Sequence, residues 1–303
     1  MIRVRVPATS ANMGPGFDSL GIAFKLFNEY EFSEINTGLV FEGIPEEFCN
    51  KENIIYEGMV KCFEKGDYKA TGIKIKVIKQ DVPISRGLGS SSSCIVAGLV
   101  GANCIMGNKF TTDELFNFAV EIEGHPDNVA PAMFGNMVVA VMHNEKAVYN
   151  KVNIKPGVKF IGLIPDFRLS TKEAREVLPK EISLKEGVYN IGRAALMVSC
   201  FSTGNYELLK YACDDMLHQN YRSKLINHYD EVYSKCYEFG ALGCFLSGAG
   251  PTIMTIIRDD NKNFLIGIKD YLKNNNINWG VVELEVDNHG AVIFFEDDLK
   301  ERN

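Results

Sequence analysis

Residues 83–93 read Pro83-Ile84-Ser85-Arg86-Gly87-Leu88-Gly89-Ser90-Ser91-Ser92-Ser93, between a strand-like and a helix-like stretch. The glycines let the backbone approach a ligand, and a loop entering a helix turns free N–H groups and the positive dipole end outward. That is the chemistry of a phosphate cradle. Serine hydroxyls in the same turn can cap the helix or ligate Mg²⁺. A tight turn with serine caps uses the same residues, so this loop alone leaves both readings open. The chain has no G-x-x-x-x-G-K-[ST] Walker loop, and its glycines miss the G-x-G-x-x-G spacing of a dinucleotide-binding turn. Two more loops mix glycine, proline and hydroxyl residues beside strands: Pro7-Ala8-Thr9-Ser10-Ala11-Asn12-Met13-Gly14-Pro15-Gly16-Phe17-Asp18 and Leu246-Ser247-Gly248-Ala249-Gly250-Pro251-Thr252.

The elements around these loops follow from periodicity. Ile2–Val6 alternates apolar and basic residues as a half-buried strand, with Pro7 expected to stop it and Ala8–Gly21 to form a structured loop. Ile73–Val77 alternates likewise and feeds the central loop, after which the small apolar residues Cys94–Met106 suit a buried helix. Thr111-Thr112-Asp113-Glu114 is a capping box for a helix carrying Leu115, Ala119 and Ile122 on one face. Asn136–Met142 is a buried strand, and the polar stretch His143–Lys155 places a domain boundary that divides the chain into 1–150 and 151–303. Beyond it come a strand at Phe160–Ile164, a cap at Leu169–Thr171 for a helix through Val177, and helical patterns near 187–202, 205–218 and 223–239. A glycine-rich turn at Gly240–Gly250 leads to a strand at Thr252–Ile257, and a hairpin turning at Asp287–Gly290 ends the chain.

At 303 residues the chain is long enough for two packed units, and 46% hydrophobic with 23% charged residues is a globular balance. Thirty-two basic against 39 acidic residues give a net charge of −7, which disfavours nucleic acid as a partner but leaves room for a small anion held by backbone N–H groups. Eight cysteines without a C-x-x-C pair read as reduced, mostly buried thiols. Neither a signal-like h-region nor a membrane-spanning apolar run is present, so the cytoplasm is the expected location.

The three loops, in this order, together with Glu123-Gly124-His125-Pro126-Asp127-Asn128-Val129-Ala130-Pro131, resemble the signature motifs of the GHMP small-molecule kinases. The first loop and the His125–Asn128 segment are most similar to the homoserine kinases among them. The match runs in register across nearly the whole chain. It implies a two-domain α+β fold, an S5-like unit followed by a ferredoxin-like one, with ATP and substrate in the cleft between. It also implies Mg²⁺-assisted phosphorylation of the side-chain hydroxyl of L-homoserine, a step of threonine biosynthesis, in an enzyme class that is often dimeric.

Residue by residue, the resemblance assigns the loop from Pro83 to Ser93 (Pro83, Ile84, Ser85, Arg86, Gly87, Leu88, Gly89, Ser90, Ser91, Ser92, Ser93) to the ATP phosphates, with Asn53 toward the adenine. Ser91 matches the metal-ligating serine, and Glu123 or Glu121 the acidic ligand, with Glu123 favoured. Asn12, Asp18 and His125 fall to the ammonium of an amino-acid substrate, Arg175 and Arg222 to its carboxylate. In the substrate-facing segment Asn128 holds the reacting hydroxyl, with Asp127 the alternative contact, and Thr171 lies close to the transferred phosphoryl group. Relatives acting on mevalonate-type substrates use an aspartate as general base, whereas homoserine kinases are thought to work without a dedicated one.

Overall fold

The computed structural model describes residues 1–295, so the end of the expected 151–303 unit lies outside the described residues. In chain order the first half forms β1 (Ile2–Ala11), β2 (Leu20–Glu34), β3 (Gly38–Glu42), α1 (Ile54–Lys65), β4 (Gly72–Gln80), α2 (Ser90–Ile105), α3 (Thr112–Glu123), α4 (Pro126–Phe134), β5 (Met137–His143) and β6 (Lys146–Val152). The second half forms β7 (Val158–Pro165), α5 (Thr171–Glu176), α6 (Leu184–Thr203), α7 (Leu209–Ala212), α8 (Gln219–Arg222), α9 (Tyr229–Glu238), β8 (Gly243–Leu246), β9 (Ile253–Arg258), α10 (Phe264–Asn274), β10 (Trp279–Leu284) and β11 (Val292–Phe295).

Strand β2 is the spine of a seven-stranded sheet ordered β11-β1-β2-β4-β3, with β5 joined to β2 and β6 to β5. At 15 residues it is long enough to pair β1 along one edge and both β4 and β5 along the other. Apolar faces of α1, α2, α3 and α4 cover this sheet, burying Phe32, Ile75, Met59, Leu99 and Phe116. A four-stranded antiparallel sheet follows, ordered β10-β7-β9-β8, the ferredoxin-like arrangement. A second cluster, from Phe24 and Leu88 to Phe160, Phe201 and Phe245, joins the two sheets. A third packs α9 and α10 on the outer face of the smaller sheet. All eight cysteines are free thiols. Among the described residues no helix is long and apolar enough to cross a membrane.

Several sequence expectations change. Pro7 does not end β1; the register shifts between Pro7 and Ala8, so the ring sits at an irregularity where no ladder N–H is required. The Gly240–Gly250 turn contains β8, and the 223–239 pattern opens with a single 3-10 turn at Ser223–Leu225 and becomes α-helical only from Tyr229. The polar stretch after residue 142 is the β5–β6 hairpin, so a division at residue 150 falls inside β6. The C-terminal hairpin does not form. Strand β10 pairs β7 in the small sheet, and β11 crosses to pair β1 in the large one. Asp287 makes the crossing: its carboxylate accepts from the N–H groups of His289 and Gly290 while its own N–H donates to Ala23. A turn-like sequence therefore serves as a bridge between sheets.

Helices α1 and α2 touch backbone to backbone. A Cβ at Gly98 would lie 2.0 Å from the Ile55 carbonyl oxygen, and one at Gly58 would lie 2.8 Å from that of Ile95. Gly98→Ala is expected to cost about 1–3 kcal/mol by overpacking, read as a fall in Tm. An unchanged Tm would mean that α1 moves freely on α2.

Candidate active site

The central loop leaves β4 and enters α2 through Gly89, which takes a left-handed conformation (φ +69°) and offers no side-chain cap. The first N–H groups of α2 therefore have no partner within the helix, and the dipole end of a largely buried apolar helix faces outward. The loop's carbonyls are held from behind: Ser247 Oγ donates to Gly87, Thr252 Oγ1 to Arg86, and the Leu169 N–H to Ser85. A Cβ at Gly87 would lie 2.4 Å from the Ser247 carbonyl oxygen, so only glycine lets the third loop press this close.

A cavity of about 570 Å³ opens over the start of α2, within the size of small-ligand pockets. Ile44, Pro45, Phe48, Ile54, Val77 and Ile84 supply the apolar part of its wall, and Ser90, Ser91, Glu123, Asn128 and Thr171 are among its polar lining. Asn53 also lines it, but its Oδ1 accepts from the N–H groups of Ile55 and Tyr56 and its Nδ2 donates to Phe48. That amide mainly caps α1. Not all of the loop faces the cavity. Leu88 is buried in the core between the sheets, and Ser93 Oγ is turned inward, donating to the Ser90 carbonyl and accepting from Asn28. Pro83 is absent from the cavity wall.

Glu123 stands at the end of α3 with Oε2 3.1 Å from Ser91 Oγ and Oε1 3.0 Å from Ser92 Oγ. Adjacent ligands of an octahedral ion with metal–oxygen bonds of about 2.0–2.1 Å lie about 2.9 Å apart, so the Ser91–Glu123 oxygen pair fits Mg²⁺. Glu121, the alternative, is turned away to pair with Lys61 at 2.8 Å and Lys65 at 3.3 Å.

The residues expected to meet a zwitterion converge beside this cavity. Asn12 Oδ1 accepts from the Asp18 N–H, and its Nδ2 donates to the Gly248 carbonyl at 2.9 Å. The Arg175 guanidinium forks onto the Asp18 carboxylate at 2.7 and 3.3 Å, so the two predicted ligand-binding charges hold each other. Arg222 is only 1% exposed; its Nε donates to the Ala174 carbonyl and its Nη1 to that of Gly248. Burial, and then repulsion from Arg175, lower its pKa to about 10, which leaves it charged at neutral pH. Both guanidiniums lie over the Phe17 ring, Arg175 Cζ 5.5 Å and Arg222 Cζ 5.3 Å from its centroid. His125 Nδ1 is 2.8 Å from Asp127 Oδ1. Burial works to lower the His125 pKa, but the bond to Asp127 and the charges of Asp127, Glu123 and Asp18 outweigh it and raise it.

Sequence reasoning passed over the support for Arg222. The helical pattern at 205–218 breaks into short pieces because the buried Asp215 carboxylate accepts from the N–H groups of Leu217, His218 and Gln219 and from Asn190 Nδ2, at 2.7–2.9 Å. His218 Nε2 is 2.7 Å from the Gly14 carbonyl and Nδ1 is 3.3 Å from Arg222 Nη1. A carbonyl only accepts and a guanidinium only donates, so the ring is neutral with its proton on Nε2. The four-residue spacing of His218 and Arg222 was the visible signal. Thr9, whose hydroxyl donates to Asn128 Oδ1 at 2.8 Å, was also missed.

An uncapped helix start beside an oxygen pair with metal-ligand spacing and a charge-paired pocket has the parts that a nucleotide-dependent small-molecule kinase needs. The profiles of the GHMP kinases N terminal domain and the GHMP kinases C terminal region match residues 53–136 and 197–267. A homoserine kinase of Clostridium botulinum (strain Alaska E43 / Type E3) is 66% identical, covering 98% of this chain and 100% of its own length. A homoserine kinase of Clostridium beijerinckii is 63% identical, covering 97% and 98%. The crystal structure of homoserine kinase from Cytophaga hutchinsonii superposes with a TM-score of 0.85 at 28% identity, covering 97% of both chains. The L. major mevalonate kinase structure shares the fold, with a TM-score of 0.69 at 15% identity over 94% and 95% of the chains. The chain belongs to the GHMP kinase family, in its homoserine kinase branch.

His218 has a pH consequence. Burial, then the neighbouring Arg222 charge, lower its pKa below the ordinary 6.5, although Asp215 opposes the shift. Its contribution to stability is complete above the unfolded value and shrinks as pH falls toward the folded one, because the unfolded chain takes up a proton first. Tm is therefore expected to fall between about pH 7 and 5 more steeply in the native protein than in His218→Gln. Parallel slopes would refute this.

Proposed function

We propose that this protein transfers the γ-phosphoryl group of ATP to the side-chain hydroxyl of L-homoserine, giving O-phospho-L-homoserine and ADP. The observation that carries the reading is the meeting of Asp18, Arg175 and Arg222 beside a helix N-terminus suited to polyphosphate. An amino acid entering there exchanges the Asp18–Arg175 pair for two new ones, its ammonium on Asp18 and its carboxylate on Arg175 and Arg222. Relatives at 63–66% identity carry the name homoserine kinase, in keeping with this choice of substrate.

The free N–H groups at the start of α2 hold the ATP phosphates, and the apolar part of the cavity wall takes the adenine. Ser91 and Glu123 hold Mg²⁺, which when bound offsets phosphate charge. Asn128 holds the homoserine hydroxyl, and Thr171, at the first turn of α5 and also on the cavity wall, reaches the phosphoryl group. The hydroxyl oxygen attacks the γ-phosphorus, the bond to the bridging oxygen breaks toward ADP, and the hydroxyl proton leaves on the transferred phosphoryl group. Asp127 is engaged by His125 and 2% exposed; it holds the ring rather than taking that proton. Catalysis is then positioning and charge compensation without a dedicated base.

ADP release measured with L-homoserine, L-serine, L-threonine and mevalonate is expected to favour homoserine; a preference for mevalonate would overturn the substrate. Glu123→Gln is expected to lower kcat/KM about 10- to 150-fold, the cost of one charge-assisted contact, with Glu121→Gln close to native. Arg222→Ala is expected to raise the KM for homoserine and leave that for ATP unchanged.

A further inference from the structure

Thr9 lies on β1, is 0% exposed and touches both reacting partners' holders at once. Its N–H donates to the Leu88 carbonyl at 3.1 Å, inside the phosphate loop. Its side chain fills the space over Gly89, where an added Cβ would lie 1.9 Å from Thr9 Oγ1. The same Oγ1 donates to Asn128 Oδ1 at 2.8 Å, and among the described residues nothing else hydrogen-bonds that amide. Both ends are rigidly mounted. Thr9 pairs with Ala23 in the sheet, and the first turn of α4 is pressed on β2 so closely that a Cβ at Gly21 would lie 1.7 Å from the Asp127 carbonyl oxygen.

We propose that Thr9 is a positioning residue that locks the Asn128 amide with its Nδ2 toward the cavity and sets its distance from the phosphate loop. The proposal rests on the reading of Asn128 as the holder of the substrate hydroxyl. A side-chain amide has one acceptor end and one donor end. With Oδ1 occupied by Thr9, the end left for the substrate can only donate, so it grips a lone pair of the attacking oxygen and leaves the proton to depart with the phosphoryl group. Without the threonine hydroxyl Oδ1 loses its one hydrogen-bond partner among the described residues, and the amide is free to leave the plane and distance that the contact sets. A β-branched residue suits the task, because its χ1 is stiff and its hydroxyl does not wander. One side chain thereby ties the acceptor's holder to the donor's loop, where small misplacements are costly in rate.

The test compares Thr9→Val with Thr9→Ser. Valine keeps the shape and removes the donor; serine keeps the donor. Thr9→Val is expected to lower kcat roughly tenfold or more, with the KM for homoserine and the Kd for ADP within about twofold, and Thr9→Ser to recover most of the rate. The Asn128 side-chain amide resonance, followed by NMR in the ADP-bound protein, is expected to shift or broaden in Thr9→Val and to be restored in Thr9→Ser. A native kcat in Thr9→Val would overturn the proposal. So would a loss matched by equally weakened ADP binding, which would mean that the added methyl had only displaced Gly89. If the native protein does not phosphorylate homoserine, the substrate reading falls, and the amide resonance still decides whether Thr9 orients Asn128.

Discussion

A helix that starts at a glycine, without a side-chain cap and inside an apolar core, has backbone donors that its own fold does not satisfy. In α2 this is a built-in demand for an anion. Most of the surrounding architecture keeps that demand unmet from within. The loop's carbonyls are taken by Ser247, Thr252 and Leu169, all on its far side. Glu123 is placed where its charge meets serine hydroxyls rather than the free N–H groups.

The third loop is the shared wall of both half-sites. The Gly248 carbonyl accepts from Asn12 Nδ2 and from Arg222 Nη1, while the Gly248 N–H donates to Ala11. Ser247 reaches Ser10 and Gly87 with one hydroxyl. The central loop, the first loop and the buried Arg222 are thus referenced to one short stretch of backbone. Keeping Arg222 charged while buried takes a second layer: Asp215 fixes the segment, and a neutral His218 accepts from the guanidinium. Asp18 and Arg175 solve a related problem, each neutralising the other at the edge of the site.

Much of this was legible because it is local. The capping box at Thr111 depends on residues three apart and formed as read, and the cap expected within Leu169–Thr171 is Ser170, where the structure adds the reciprocal bond from Glu173. The order of elements around the central loop follows from alternation and helical periodicity. The resemblance favoured Glu123 over Glu121 without a physical reason, because two glutamates two residues apart differ only in which neighbour they face; Lys61 and Lys65 pair with Glu121. Thr9 and Asn128 are 119 positions apart, and no spacing rule links them.

By itself the sequence determined the three loops, their order and the helix behind the central one, since these depend on residue type and near neighbours. Only the tertiary structure decided which residues share a site. It sent β11 back to β1 instead of into a hairpin, turned Ser93 and Leu88 inward, and set Asn53 to capping. The reason is physical: hydrogen-bond partners and buried charges are chosen by distance in space, and distance across the cleft is fixed by how the two sheets pack on their common core.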